Sequence, residues 1–305
     1  MPSLTDFVLD ARGDELSGVR WLAFGAADEL LSHPALGDLD LQTRNRLGAA
    51  RLVHFLDDMA LTEHRIVNVA AQRIAENRLR GHDVPEPLAL DALKLYTDEG
   101  YHAYFTALAV GRIREAFGLA AYEGPSQKIT GIEALVAEVP APRRDMAWFL
   151  VGFVGETMVT KAIVDAMRST AHSALQRLLL AHLEDEWVHA RYFAHLFSRV
   201  WPTLAAQERA DLGELLPRIM GAFHVRDPER IAHTLTDAGV PASARKTVLA
   251  RQAPEEGQFA RARHMGANTL QVMARCGVFR DEAVRGAFVR AGLIDRDGNL
   301  QGKSA

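Results

Sequence analysis

The chain has 305 residues, of which 48% are hydrophobic and 24% charged, and its formal net charge is −4. This balance gives no electrostatic basis for binding nucleic acid or an anionic membrane surface. The single cysteine, Cys276, excludes an intramolecular disulfide and a thiolate-rich zinc site. The N-terminal stretch is acidic, unlike a signal peptide. The longest strongly apolar run, residues 146–155, is about half the ~20 residues of a membrane span. We therefore expect a cytoplasmic protein without membrane or nucleic-acid partners.

Helical periodicity dominates the chain, and alternation of the β type never extends beyond a few residues. The N-terminal stretch to about Asp40 contains scattered glycine and proline, and we expect it to wrap the helices that follow. Strong helical patterns then occupy four long segments: 43–80, 89–118, 143–170 and 172–200. The first of these is long enough to hold two helices. Proline and glycine punctuate the gaps at 85–87 and 118–142.

The C-terminal third contains shorter helical patterns, at 205–222, 227–238, 241–250, 256–276 and 280–291. No low-complexity tract or linker separates this third from the preceding helices. The sequence therefore predicts one all-α domain over residues 1–305, with a helix bundle at about 43–200 as its core.

Two of the long helical segments carry the same short pattern, D-E-x-x-H, once in the second segment and once in the fourth. Residues three apart on a helix lie on one face. Each pattern can therefore aim a carboxylate oxygen and an imidazole nitrogen at one metal ion: Glu99 with His102, and Glu186 with His189. A single E-x-x-H is weak evidence in a chain with 12 histidines, whereas two copies on strong helices indicate a shared site.

Di-iron carboxylate bundles combine two E-x-x-H helices with one glutamate from each of two further helices. The third long segment supplies Glu156, the only acid between Asp145 and Asp165 in an otherwise apolar helix. A buried, unpaired carboxylate is costly, so metal ligation is the predicted remedy. A neutral or hydrogen-bonded core glutamate is the alternative.

The first long segment supplies Glu63 as the fourth carboxylate. Helical spacings of three, four, seven and eleven residues from Glu63 give an apolar stripe, which predicts a buried face: Met59, Ile66, Val67, Ala70 and Ile74. Glu76 competes for the role but lies among arginine and asparagine residues on a solvated face. His64 is one position off the stripe and is predicted to lie at the surface or behind the ligands.

The donor set also indicates which metal would bind. Four carboxylates neutralise two divalent ions, and oxygen and imidazole donors without thiolate suit iron or manganese. His182 precedes Glu186 by four residues and His189 by seven, so it shares their face and is predicted to be a further ligand. The alternative is a satisfied core histidine. Asp98 and Asp185 are predicted to accept the second N–H of the ligating histidines, crosswise between the two helices, rather than to face solvent.

This ligand pattern resembles that of the p-aminobenzoate N-oxygenase family of di-iron enzymes over about residues 45–200. The matching residues are Glu63, Glu99, His102, Glu156, His182, Glu186 and His189. The resemblance implies a ferritin-like four-helix bundle that holds two iron ions through three histidines and four carboxylates, with additional helices at both ends. It also implies that the C-terminal helices, at about 205–291, help to close a substrate pocket.

The resemblance further implies an enzyme that uses O2 to oxidise the amine nitrogen of a small molecule to a hydroxylamine, nitroso or nitro product, in natural-product biosynthesis. Electrons must come from a separate reductase or ferredoxin, because the sequence has no G-x-G-x-x-G after a strand and no cysteine cluster. A homodimer is expected by analogy. Two alternatives stay open: a di-iron oxidase or hydroxylase that acts at carbon, and a non-catalytic ferritin-like metal-binding protein.

Other residues are less informative. His224, Arg261 and His264 are candidates for holding a substrate carboxylate, and the sequence does not choose among them. Trp187 and Tyr101, inside the two D-E-x-x-H patterns, are predicted to be packing residues rather than redox relays.

Overall fold

The computed structural model describes residues 30–298, except 80, 81, 83, 170–172, 251, 254 and 256. The prediction that the N-terminal stretch wraps the bundle therefore falls mostly outside the described residues. The elements of the first two thirds are, in chain order, α1 (Leu41–Thr62), a π turn (Glu63–Val67), α2 (Asn68–Ala75), α3 (Glu86–Phe117), α4 (Gln127–Glu138), α5 (Arg144–Ser169) and α6 (Ser173–Val200). No strand occurs among the described residues, which confirms the all-α prediction.

The long helices close into a ferritin-like bundle. α3 packs against α1, α2 and α6, while α5 packs against α2 and α6. Local signals set the helix ends: the side chain of Asp40 accepts hydrogen bonds from Thr43 at the start of α1. Gly118 ends α3 in the left-handed conformation, with φ of 60°. The four long helical segments predicted from periodicity are thus present within a few residues of their predicted bounds.

The first long segment follows one helical path interrupted by the π turn. Within that turn the backbone N–H of Asn68 bonds to the carbonyl of Glu63, five residues earlier. The extra residue changes the register of the helix, and such turns are frequent at functional sites. The sequence suggested two helices here, and the π turn is what separates α1 from α2.

The gap predicted over residues 118–142 is wrong in part, because it contains helix α4. Ser126 caps the helix by accepting a hydrogen bond from the backbone N–H of Ile129. Ile129, Ile132 and Val136 then form a buried stripe at helical spacing. The prolines on either side of α4 therefore delimit this helix and do not exclude it.

The C-terminal third forms six helices among the described residues: α7 (Ala206–Ala222), α8 (Pro228–Asp237), α9 (Ala242–Leu249), α10 (Gln258–Met265), α11 (Ala267–Arg275) and α12 (Glu282–Arg290). The single helix predicted over 256–276 is wrong, because the chain breaks at Gly266. A Cβ atom there would lie 2.5 Å from Met220 Cε and 2.7 Å from the carbonyl oxygen of Ala262. Helices α7, α10 and α11 pack against α5.

The bundle core consists of two apolar clusters. One contains Phe149, Phe153, Phe193 and Phe197, whose rings stack in pairs between α5 and α6. The other contains Leu52, Leu56, Phe105 and Leu179. Among the described residues one segment, Ala141–Ala166, is long and apolar enough to cross a membrane. However, 72% of its 18-residue apolar stretch is buried within the protein. Its apolar side chains are therefore packed in the bundle core.

Candidate metal centre

All seven predicted metal ligands lie at the boundary between the two apolar clusters. On α3, for example, Glu99 and His102 fall between Leu95 of one cluster and Phe105 of the other. No more than 3% of the surface is exposed for any of the seven: Glu63, Glu99, His102, Glu156, His182, Glu186 and His189. Four carboxylates buried this deeply are costly unless cations compensate them.

The side chains converge in two overlapping groups, and within each group the candidate ligand atoms lie within 4.8 Å of one another. The first group consists of Glu63, His102, His182 and Glu186, and the second of Glu99, His102, Glu186 and His189. Glu156 adjoins the second group, with Oε2 3.8 Å from Nδ1 of His189. Because the groups share His102 and Glu186, they adjoin each other, and each could hold a metal ion.

Hydrogen bonds between α3 and α6 orient two of the histidines. His102 Nε2 lies 3.1 Å from Asp185 Oδ2, and His189 Nε2 lies 3.4 Å from Asp98 Oδ2. This is the crosswise arrangement expected from the sequence. With the N–H on Nε2, the Nδ1 lone pairs of both rings face the cluster. His189 Nδ1 is 2.6 Å from Glu99 Oε1, a close approach that lacks hydrogen-bond geometry.

Unsatisfied acceptors test whether the cluster fits a metal. Both oxygens of Glu63 and Glu99, and Nδ1 of His102 and His189, have no hydrogen-bond partner among the described residues. His182 Nε2 lies 2.9 Å from Glu63 Oε1 but outside hydrogen-bond geometry. Each buried acceptor left unpaired costs roughly 1–3 kcal/mol. Lone pairs of carboxylate and imidazole that converge without thiolate fit divalent ions such as iron or manganese.

The electrostatics of the cluster favour proton uptake when no metal binds. Burial raises the pKa of Glu63 to about 7, although His182 opposes the rise. Burial, with the charges of Glu186 and Glu99, also holds the pKa of Glu156 well above its usual range. Burial alone would lower the pKa of His102, but hydrogen bonds with Asp185 and neighbouring glutamates raise it to about 12. A metal ion that binds here would therefore displace protons from this cluster.

The two competing residues near Glu63 lie outside the cluster. Glu76 and His64 are both exposed, away from the cluster. The five apolar positions in step with Glu63 are all buried. That the seven residues bind metal stays a prediction, but the structure brings all of them together.

Sequence reasoning missed two buried polar residues beside the cluster. Thr106 is one turn beyond His102, and its Oγ1 is buried without a partner among the described residues. Its i+4 spacing from His102 could have identified it. Asn68 is buried, and its Oδ1 likewise has no partner there. It follows Glu63 by five residues. On a regular α-helix this spacing places two side chains on different faces, whereas the π turn between them changes the register.

The remaining candidates behave differently from one another. His224 is half-buried, and Arg261 donates to its carbonyl oxygen over 2.8 Å. His264 is exposed. Tyr101 is half-buried, but Trp187 is 53% exposed, so the prediction that it is a packing residue within this chain is wrong.

Comparison with known proteins agrees with this site. The family described as P-aminobenzoate N-oxygenase AurF matches residues 16–277. The chain is similar to a 4-aminobenzoate N-oxygenase of Streptomyces thioluteus, with 24% identity over 216 residues. That match covers 68% of this chain and 63% of the relative, so the chain spans less than two thirds of the relative's length. The family match extends over most of the chain, and the protein belongs to the p-aminobenzoate N-oxygenase (AurF) family.

Proposed function

We propose that the protein is a di-iron N-oxygenase that uses O2 to oxidise the amine nitrogen of a small molecule. The observation that carries the proposal is the convergence of seven buried carboxylate and imidazole ligands in a chain of this family. The relative's name specifies an aromatic amine, 4-aminobenzoate, so arylamines are the first substrate class to test.

Each side chain of the cluster has a distinct role in this proposal. Glu63 and His182 would hold one iron ion, while Glu99, Glu156 and His189 would hold the other. His102 and Glu186 belong to both groups; His102 would give its single free lone pair, on Nδ1, to one ion, and Glu186 would add carboxylate oxygens. When bound, a pair of ferrous ions supplies the electrons and binding positions with which O2 is activated.

The protein's own contribution is orientation. Asp98 and Asp185 fix the rings of His189 and His102, so that each presents its Nδ1 lone pair to the cluster. His182, from the same face of α6, adds a third imidazole. An additional nitrogen donor distinguishes this cluster from bundles with two histidines, and it supports oxidation at nitrogen over the carbon-hydroxylase alternative.

The C-terminal helices would exclude water from the side of the site formed by α5. The ring of Phe223 lies against Gly155, next to Glu156, where a Cβ atom would come within 3.0 Å of it. Thr157, on the other side of Glu156, shares a hydrogen bond of 2.8 Å with Thr269 of α11. We propose that α7, α10 and α11 close the substrate pocket over this side.

The overall reaction requires an external reductant. Conversion of an amine to a hydroxylamine takes up one O2, two electrons and two protons, and releases one water. The sequence holds one cysteine and no dinucleotide-binding pattern, so a separate reductase or ferredoxin would deliver the electrons. A cytoplasmic location and action in biosynthesis stay predictions.

The test is iron loading followed by turnover. Protein loaded anaerobically with Fe(II) should retain about two iron ions per chain, as the two groups of ligands require. Addition of O2, a chemical reductant and 4-aminobenzoate should give N-oxidised products in mass spectrometry. Glu186→Gln should lose both iron and activity, whereas Glu184→Gln, exposed on the same helix, should retain both.

Three outcomes would contradict the proposal. Many iron ions per chain would indicate iron storage. Products oxidised only at carbon would support the hydroxylase alternative. Normal iron content in Glu186→Gln would show that the buried cluster is not the metal site.

A further inference from the structure

A surface groove lies where the C-terminal half of α6 meets α11. Its volume is about 590 Å³. Its lining includes two residues of α6 and four residues from α11 and the turn that follows it: His195, Ser198, Val272, Arg275, Cys276 and Arg280. We call this site the basic groove. None of these residues belongs to the candidate metal centre.

The basic groove carries positive charge that the protein does not neutralise. The side chains of Arg275 and Arg280 are exposed, and there is no carboxylate among the described residues that line the groove. Arg191 and Arg199, also exposed, lie one turn on either side of His195 on α6. None of these four arginines forms an ion pair with another described residue. The groove and its border therefore offer several cationic groups to an anionic partner.

The sequence around the groove is segregated by charge. Residues 187–207 and 257–280 contain no aspartate or glutamate, although the chain has 39 acids among 305 residues and a net charge of −4. The same two segments contain six arginines. A local positive surface on an acidic protein directs acidic partners to one place, because complementary charges raise the rate of encounter and select the orientation.

The basic groove lies close to the candidate metal centre along two helices. On α6, His195 is six residues beyond the candidate ligand His189, which is about 9 Å along the helix axis. On α11, Val272 of the groove is one turn beyond Thr269. Thr269 is buried and shares its hydrogen bond of 2.8 Å with Thr157, which is next to a candidate ligand on α5. Single turns of helix and one hydrogen bond thus connect the groove to the ligand-bearing helices.

We propose that the basic groove docks the electron donor of this protein, an acidic electron-carrier protein of the ferredoxin class. The inference rests on the proposed oxygenase function, because that reaction takes two electrons from outside the chain. Each reduced [2Fe–2S] ferredoxin gives up one electron and is oxidised, so two docking events supply one turnover. Electron-transfer partners form small, transient complexes that charge steers into place. A groove bordered by unpaired arginines beside the metal centre suits such a complex.

Binding of a strongly acidic plant-type [2Fe–2S] ferredoxin tests the surface without turnover. The double variant Arg275→Glu, Arg280→Glu should bind it on the order of 10-fold more weakly than the wild type. Added NaCl at about 0.2 M should weaken wild-type binding similarly, because salt screens exposed charges.

The matched control is the double variant Arg177→Glu, Lys246→Glu. It changes the net charge equally, at exposed positions of α6 and α9, and should bind ferredoxin like the wild type. Biolayer interferometry measures the affinities. No binding by the wild type, or equal weakening in both double variants, would overturn the proposal.

Electron delivery separates docking from chemistry. With NADPH, ferredoxin reductase and the same ferredoxin, Arg275→Glu, Arg280→Glu should oxidise 4-aminobenzoate about 10-fold more slowly than the wild type. With ascorbate and a phenazine mediator as the reductant, the two proteins should be equally active. An equal loss with both reductants would indicate that the groove admits the anionic substrate, and would overturn the proposal. An inactive wild type that still binds ferredoxin through these arginines would support the docking site but contradict the N-oxygenase function.

Cys276 gives a footprint of the docked partner. It is the only cysteine of the chain, and it lies half-buried in the groove. Bound ferredoxin should slow its reaction with a thiol reagent several-fold, as measured by the intact mass of this chain, and added salt should restore the rate. Ferredoxin that binds without protecting Cys276 would dock elsewhere, which would overturn the proposal.

Discussion

Two polar clusters lie almost side by side on the first helical path, and they balance their charges in opposite ways. Asp58 is on α1 and Glu63 opens the π turn, only five residues later. Lys128 donates to Asp58 over 2.5 Å and to Thr62, the neighbour of Glu63, over 3.3 Å. The carboxylates are half-buried in the first region and buried in the second, and the difference between the regions shows how a structural charge cluster can be told from a candidate metal site.

In the Asp58 cluster, three protein cations surround two carboxylates. We use this name for Asp57, Asp58, Arg114, Lys128 and Arg230. Arg114 and Arg230 lie 2.7 and 3.3 Å from Asp57 Oδ2. Burial would raise the pKa of Asp58, but Lys128 and Arg230 hold it below its usual value. This cluster is complete without any bound ion.

In the metal centre, carboxylates outnumber the protein's fixed cations. Among the described residues, the ion pairs of the four glutamates are all with histidines, and several lone pairs of the cluster have no partner. The comparison teaches that an excess of converging acceptors, rather than burial or charge alone, marks a site for cations.

The largest expected effect is that of removing metal from the loaded protein. A metal ion present at 1,000 times its dissociation constant stabilises the fold by about 4 kcal/mol per site. Chelation should therefore lower the melting temperature on the order of 10 °C. Differential scanning calorimetry with and without chelator measures this shift. Chelation should shift the melting temperature of Glu63→Gln much less, because this variant lacks one predicted ligand. An equal shift in wild type and variant would mean that the metal binds elsewhere.

Breaking the Asp58 cluster should cost stability without changing metal content. Asp58→Asn leaves Lys128 without its partner, and the two side chains are only 28% and 16% exposed. A fully buried broken pair costs about 3–5 kcal/mol, so we expect about 2 kcal/mol at this partly exposed one. Urea unfolding measures the loss, and Lys128→Met in the same background should recover part of it. Loss of iron from Asp58→Asn would contradict the separation of the two clusters.

Asp185 offers a smaller effect within the metal centre. Its side chain is 55% exposed, yet it holds the ring of His102. Asp185→Asn should weaken metal binding 10–100-fold, as is typical for groups that orient a ligand, with little change in the stability of the metal-free protein. Competition with a coloured chelator gives the affinity. Glu184→Gln, the exposed neighbour, is the control, and equal affinities of the two variants would remove the positioning role.

The sequence was sufficient for the features that depend on helical spacing. The two D-E-x-x-H patterns, the register of His182 and the apolar stripe around Glu63 all follow from residues three, four and seven apart. The family resemblance, read from the same residues, is confirmed. The single-domain boundaries stay a prediction.

The missed features depend on tertiary contacts or on departures from α-helical geometry. The π turn changes the register after Glu63, so Asn68 could not be placed by α-helical steps. At the break, Gly266 lies against the side chains of Met158 and Met220, which come from distant segments and leave little room for a Cβ atom. The cation partners of Asp58 come from α4 and α8. Helix α4 was not predicted, because the prolines on either side of it indicated a gap between helices. Such contacts cannot be read from local periodicity.

The smallest expected effect is on how the free energy of unfolding depends on pH. The dependence has opposite signs for His224, whose pKa Lys128 of the Asp58 cluster helps to lower, and for Glu63 of the candidate metal centre. Burial, with Lys128 and Arg261 nearby, lowers the pKa of His224 to about 3, whereas an unfolded histidine has a pKa near 6.5. This contribution to stability is present above pH ~6.5 and is lost as the pH falls towards 3, because only the unfolded state binds the proton. Glu63 behaves oppositely in metal-free protein: with its pKa raised to about 7, its contribution is present at low pH and is lost as the pH rises through 7.

His224→Gln should therefore flatten the acid side of the stability profile by about 1 kcal/mol between pH 6 and 5. Urea unfolding of chelated protein at these pH values measures the slope, with exposed His195→Gln as the control. An unchanged slope in His224→Gln would show that burial and the nearby cations Lys128 and Arg261 do not keep His224 unprotonated in the folded protein.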